Sequence, residues 1–332
     1  MKLQVTRRGL DFSGQAADLE RLRQEFDRHH YIRLPQLFEP ELLERIQYGL
    51  ERAEFYPRSD GAVDSSELTM RANTTLGLLL MVMNDDRLLE LFQQMTGTPP
   101  LSCFHGRVFH MYRGHYDTWH NDLLNTRTVA VSMNLSPRPY QGGIVEIRDA
   151  RSRQILSQFQ NTGYGDGVVF RIAPHLEHHL TPLEGELPRI TFGGWYHQQP
   201  NRKTYLKKRL SKTRLTRRQK ELPVDLGQAA QSPEARESFR PVQLCDHVEI
   251  DPEVIFRNIE EELFLINVKS DSYYTLNRVG ARIWEFLTEE KQLQKVFEAT
   301  KECYDVEPKV LRQDITQLVQ HLQAIGFLRI IS

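Results

Sequence analysis

The sequence predicts an α+β protein in two folded units, a helix-flanked sheet sandwich or barrel followed by a small unit of three strands and three helices. Three observations predict it. Apolar residues recur at helical spacing before residue 100, short β-rich runs punctuated by glycine follow from Leu101, and a meander-then-helices pattern comes after a polar break.

In the first unit Leu19, Leu22 and Phe26, then Leu42, Leu43, Ile46 and Leu50, recur every three or four residues, and Asp86 to Met95 forms a further short helix. Strands are expected at Val108–Tyr112, Thr128–Leu135, Ile144–Arg148, Gly167–Ile172 and Arg189–Trp195, with Gly142-Gly143 and Gly163–Gly167 as turns. The run from Arg202 to Lys220 carries ten cations and no acid, and 221–241 is rich in Gln, Ala, Ser and Pro without apolar periodicity. The expected organisation is therefore a domain over 1–200, a basic then flexible linker over 201–243, and a domain over 244–332. In the last, Val254–Arg257, Glu262–Asn267 and Ser272–Leu276 read as strands. Val279–Leu287, Gln292–Tyr304 and Pro308–Ile325 read as helices, with Pro308 in a first turn and Gly326 at a C-cap.

Bulk properties exclude some classes of function. Net charge is -1, so the balance names no partner, and no apolar run reaches the 18 residues a membrane span needs. The N-terminus lacks the apolar stretch of a secretory signal. Three widely spaced cysteines, Cys103, Cys245 and Cys303, form no disulfide framework or zinc motif, and a reducing cytoplasm is expected. Oligomeric state is left open.

The 12 histidines crowd into two stretches, which points to a metal. The segment from Tyr112 to Asp122 holds two His-x-Asp pairs, His115/Asp117 and His120/Asp122. On a strand, residues i and i+2 share a face, so either pair can offer an imidazole and a carboxylate to one ion. A third ligand from His175, His178 or His179 would complete a 2-His-1-carboxylate triad with open positions on non-haem Fe(II).

The order Tyr112-x-Gly114, His120-x-Asp122, Leu135 closing a strand, Gly142-Gly143, Gly167-Val-Val-Phe170, His178-x-Leu180-x-Pro182 and Arg189 resembles the Fe(II)/2-oxoglutarate-dependent oxygenases of prolyl-hydroxylase type. The resemblance covers about residues 100–197. It implies a double-stranded β-helix (jelly roll), with Fe(II), 2-oxoglutarate and O2 as cofactor and co-substrates. It selects His120, Asp122 and His178 as ligands, because the spacing from Gly114 and the Leu180–Pro182 context fit them. It implies that Arg189 grips the distal carboxylate of 2-oxoglutarate through its planar fork, one residue later than the family's usual spacing, aided by Thr191 and Tyr112. His115, Asp117, Trp119, Asn121 and Asn134 are candidates for the substrate side, or simply loop and strand residues.

Tyr274-Thr-Leu-Asn277, Gly280, Ile283-Trp284 and the final Gly326-Phe-Leu328 resemble the PqqD family, small winged-helix-like domains that recognise precursor peptides. The resemblance implies a leader peptide added as a strand beside Ser272, Tyr273, Tyr274, Thr275 and Leu276, against a minority of the stripe Leu311, Ile315, Leu318 and Val319. The alternative is a packing or dimerisation module. Sixteen acids against ten cations over 244–332 make nucleic acid a poor partner. The function expected is hydroxylation of a side chain in a ribosomally made precursor peptide captured through its leader. Rivals are an oxygenase acting on a small metabolite or a protein, and a non-enzymatic peptide binder.

Overall fold

A computed structural model describes residues 1–57, 67–123, 126–198, 241–259 and 262–331. The chain divides into two compact units, Met1–Arg214 and Leu215–Ser332. The basic run and nearly all of the expected linker lie outside the described residues.

In the first unit the hairpin β1 (Lys2–Thr6) and β2 (Gly9–Ser13) leads to α1 (Ala16–His29), β3 (Tyr31–Leu34), α2 (Pro40–Leu50), β4 (Phe55–Pro57), β5 (Leu68–Met70), α3 (Thr74–Met83) and α4 (Asp86–Thr96). The strands β6 (Cys103–Met111), β7 (Asp117–His120), β8 (Arg127–Asn134), β9 (Val145–Asp149), β10 (Ile155–Phe159), β11 (Gly167–Arg171), β12 (Leu176–Leu180) and β13 (Arg189–His197) follow. They form a seven-stranded sheet, β3-β11-β8-β13-β6-β5-β4, and a four-stranded sheet, β10-β9-β12-β7, both antiparallel throughout.

All five expected strands of this unit are present. The expectation missed α3, and the reason is physical. Its ten residues TTLGLLLMVM are all buried, so no polar face marks the helical period. Asn73 caps it by accepting from the Leu76 N–H at 2.9 Å.

Alternation along β13 organises the unit. Phe192 and Tyr196 point to the helical layer, where Phe104 meets Phe192 at 5.4 Å and Phe92 meets Tyr196 at 5.3 Å between ring centroids. The Tyr196 hydroxyl donates to the Met83 carbonyl at 2.8 Å, fixing the sheet to the end of α3. Arg189, Thr191, Gly193 and Trp195, on the other parity, line a cavity whose remaining walls include His120, His178 and Leu180 of the four-stranded sheet.

The second unit begins at β14 (His247–Ile250), continues through β15 (Val254–Ile259), β16 (Glu262–Asn267) and β17 (Ser272–Leu276), and then α5 (Arg278–Glu290), α6 (Leu293–Cys303), α7 (Pro308–Ala324) and β18 (Leu328–Ile331). The meander β15-β16-β17 and the three helices fall where the sequence places them. Asn277 caps α5 by accepting from Gly280 N–H at 2.9 Å, and Gly326 takes φ +75° after α7. The pairing of β14 with β18, which joins the two ends of the unit, was not anticipated. No helix among the described residues is long and apolar enough to cross a membrane.

Candidate metal centre

His120, Asp122 and His178 converge at one end of the cavity, with one ligand atom from each within 4.8 Å of the others. His120 closes β7 and faces His178 directly across the β7–β12 ladder. Their rings lie 4.3 Å apart. Asp122 departs from the sequence expectation. It does not continue the strand, because β7 ends at His120 and Asp122 takes φ +56°, so a left-handed turn rather than strand alternation brings its carboxylate back beside His120. Aspartate is among the few side chains that tolerate this conformation.

Two of the three ligands are held by a further group. The His120 Nδ1 lies 2.6 Å from the Thr118 carbonyl, which can only accept, so Nδ1 carries the proton and the Nε2 lone pair is free for an ion. Asp122 Oδ2 accepts from the Trp195 indole N–H at 2.6 Å, and Oδ1 from Arg127 at 3.2 Å. The Arg127 guanidinium lies 3.7 Å over the Trp195 ring. Burial alone would raise the Asp122 pKa. The hydrogen bond with His178, the attraction that His178 and His120 exert when protonated, and the Trp195 donor outweigh it and bring the value down to about 2. Burial lowers the pKa of His178. An ionised aspartate beside neutral imidazole is the donor set a divalent cation requires.

Arg189 and Thr191 lie across the cavity on β13. Arg189 is 7% exposed; its Nε donates to the Tyr140 hydroxyl at 3.3 Å and one terminal nitrogen reaches only the Met111 sulfur, at 3.4 Å. No carboxylate among the described residues pairs with it. The Thr191 hydroxyl is buried without a hydrogen-bond partner among the described residues. A buried cation and a buried hydroxyl left unpaired on one wall are costly, and together they ask for an anionic acceptor in the cavity. The residues present therefore fit a divalent metal at one end and a carboxylate at the other.

Tyr112 is a correction. It is 42% exposed and absent from the cavity wall. Arg107, Phe109 and Met111 face inward along β6, so residues of the other parity point away, and Tyr112 packs on His110 at 4.6 Å instead. Tyr140 takes the place beside Arg189. Its hydroxyl donates to Asn161 O at 2.7 Å, leaving a lone pair for the guanidinium. The turn that follows needs glycine: Gly142 has φ +71°, and a Cβ there would sit 2.3 Å from the Pro182 carbonyl.

Of the substrate-side candidates, Asp117 lines the cavity, with Oδ2 3.8 Å from His120 Nε2. Asn134 is used up by Gly163 O and Ser136 N–H, and Asn121 accepts from Leu123 N–H. His115 accepts from Tyr112 N–H, and Trp119 points to the opposite face of its sheet against His179. Sequence reasoning missed Arg127, Tyr140 and the role of Trp195. Only Trp195 left a signal, since it continues the alternation 189, 191, 193, 195.

In the second unit β17 pairs only with β16 among the described residues, and so stands at the edge of their sheet. Ser272, Tyr273 and Thr275 are half-buried, while Tyr274 and Leu276 are buried. Leu311, Ile315 and Leu318, expected in part to touch peptide, are all packed into the unit's own core with Trp284, Leu287 and Phe327, and Val319 with them. Their stripe is consumed by folding, which corrects that expectation. The Tyr274 ring meets His321 of α7 at 4.8 Å, and its buried hydroxyl has no partner.

Residues 262–328 match the family model of the coenzyme PQQ synthesis protein D (PqqD). No curated protein matches the chain. Among solved structures, the chain is similar to an oxidoreductase of the 2OG-Fe(II) oxygenase family from Burkholderia pseudomallei, with 17% identity and a TM-score of 0.44 over 60% of this chain and 97% of that one. It is similar to a Pseudomonas putida prolyl-4-hydroxylase, with 16% identity and a TM-score of 0.42 over 55% and 100%. It is also similar to TbiB1 in complex with the TbiA(beta) leader peptide, with 26% identity and a TM-score of 0.24 over 24% and 94%. Residues 262–328 are thus similar to PqqD, and the solved structures to which the chain is similar include 2OG-Fe(II) oxygenases.

Proposed function

We propose that the chain is an Fe(II)- and 2-oxoglutarate-dependent oxygenase that hydroxylates a side chain of a ribosomally made precursor peptide. One observation carries the oxygenase reading. The cavity that gathers His120, Asp122 and His178 also holds a buried guanidinium without a carboxylate partner and an unsatisfied hydroxyl on its facing wall. In this reading the first unit is a double-stranded β-helix over 1–200, 201–243 is a linker, and 244–332 is a winged-helix-like peptide-binding domain.

Bound Fe(II) would supply the O2 chemistry. The net change is a C–H bond converted to C–OH while 2-oxoglutarate and O2 become succinate and carbon dioxide, one oxygen atom going to each organic product. The chain's own residues bind and orient. Arg189 and Thr191 would take the distal carboxylate of 2-oxoglutarate, with Tyr140 setting the direction of the fork. Trp195 and Arg127 would hold the Asp122 carboxylate, and Thr118 the His120 tautomer. Apolar walls from Phe109, Met111, Val131, Val145, Phe170 and Leu180 would exclude water.

The PqqD match and the open edge of β17 support capture of a peptide by strand addition, with main-chain hydrogen bonds as the source of affinity. Tethering a leader raises the local concentration of the core segment, so the cavity itself need bind it only weakly.

The test uses the full chain with Fe(II), 2-oxoglutarate and a leader–core peptide selected by binding to the immobilised protein from a peptide library. The expectation is one succinate formed per oxygen atom gained by the peptide. Absence of succinate, with or without peptide, would sink the oxygenase reading. Oxygen gain that survives deletion of 244–332 unchanged would sink the capture reading.

A further inference from the structure

Behind the two histidine ligands, on the opposite face of the four-stranded sheet, lies a layered stack of side chains. Trp119 precedes His120 and His179 follows His178, so alternation turns their rings from those of the ligands, although His179 still contributes to the cavity lining. There the Trp119 and His179 rings stack, with centroids 3.9 Å apart and planes 24° from parallel. The Arg148 guanidinium lies 3.9 Å from the same indole centroid. Arg148 and His179 thus both pack against the indole. Glu177 holds Arg148 through bonds of 2.8 and 2.6 Å, and Glu146 lies 2.8 Å from His179 Nε2. Gln158 completes the layer by donating to Glu146 at 2.5 Å. All four strands of the sheet contribute.

The stack sits where main-chain support is thin. Among the described residues β7 is an edge strand, its ladder with β12 has two residue pairs, His178↔His120 and Leu180↔Asp117, and the register shifts between them. Thr118, at that shift, has its N–H bonded to Asp117 Oδ1 at 3.0 Å and its carbonyl to His120 Nδ1. Both of its peptide groups are therefore engaged by neighbouring side chains. The short strand carrying His120 depends on side chains to hold it against the strand carrying His178.

We propose that Arg148, Trp119 and His179, braced by Glu177 and Glu146, are positioning residues that set the spacing of His120 and His178 and thereby the affinity of the metal site. The proposal rests on the reading of His120, Asp122 and His178 as metal ligands. Aromatic stacking and cation–π contact act here through geometry, since the metal-ligating group is His120, Asp122 and His178 and includes none of these residues. Trp119 is the central member because it alone joins β7 to the rest.

The test is Mn(II) binding to the full-length chain by titration calorimetry, with the ligand-field absorption of the Co(II)-loaded protein as a second readout. Trp119→Ala is expected to weaken Mn(II) binding on the order of tenfold and to shift the Co(II) bands at saturation. Trp119→Phe, which keeps a stacking ring, is expected to stay within about twofold of the native protein. A purely structural role would lower the melting temperature of the metal-free protein without moving the Co(II) bands at saturation, and that result overturns the proposal. Unchanged affinity in Trp119→Ala, or equal loss in Trp119→Phe, overturns it as well. If Trp119→Ala does not fold, His179→Gln, which retains a donor for Glu146 but no ring, carries the same expectation. A native chain that binds no Mn(II) or Co(II) instead overturns the metal site itself.

Discussion

The cavity of the first unit and the β17 edge of the second use their polar and apolar residues in opposite ways. In the cavity, polar groups reach across from two sheets and two remain unpaired among the described residues: the Arg189 fork has no carboxylate, and the Thr191 hydroxyl has no partner. In the second unit the apolar stripe of α7 is spent on the unit's own core, and what stays open is the main chain of an edge strand. A site that must hold an ion and an anion announces itself through side chains that folding leaves unsatisfied. A site that adds a strand announces itself only through backbone, which every residue possesses.

The contrast can be broken or sharpened by substitution. The largest effect is expected at the triad: His120→Ala, Asp122→Ala or His178→Ala should abolish metal-dependent turnover of 2-oxoglutarate, read as succinate, while peptide binding by the full chain is unchanged. Next comes deletion of 244–332. It should reduce oxygen transfer to a captured peptide by about 10²–10⁴-fold, the range an intramolecular second contact supplies, and leave peptide-free succinate formation intact. Arg189→Met should weaken 2-oxoglutarate binding by about 2–5 kcal/mol, measured as its KM or by titration, without lowering the melting temperature of the ligand-free protein, where the guanidinium is buried unpaired. Ile315→Ala should act through stability, costing about 2–5 kcal/mol in denaturant melts because the side chain fills a packed core. Loss of leader affinity in an Ile315→Ala protein that is as stable as the native one would restore the stripe to the binding surface. Tyr112→Phe should change neither stability nor 2-oxoglutarate KM by more than about 0.5 kcal/mol, since the ring lies outside the cavity.

Much of this arrangement could be read from residues, and the misses have identifiable causes. Five strands of the first unit and six elements of the second were visible because apolar period and turn glycines agree there. Helix α3 was invisible because a helix buried on every side has no period to find. His120, Asp122 and His178 were selected by the family resemblance and do converge, but Asp122 arrives through a left-handed turn that a strand-based argument does not contain. Arg189 and Thr191 face the cavity because they share a parity on β13; Tyr112 fails because parity on β6 favours its neighbour Met111. Tyr140 and Arg127 lie in sequence where only the folded chain shows what they touch. The outer stack behind the ligands follows the same logic, since Trp119 and His179 gain meaning only once β7 and β12 are known to pair.

The measurement that tests the central claim most directly is succinate formation from 2-oxoglutarate under air, with Fe(II), by the full chain and by its His178→Ala variant. Iron-dependent succinate in the native protein and none above background in the variant is the predicted result. Equal succinate in both, or none in the native protein once Fe(II) is shown to be bound, would contradict the account.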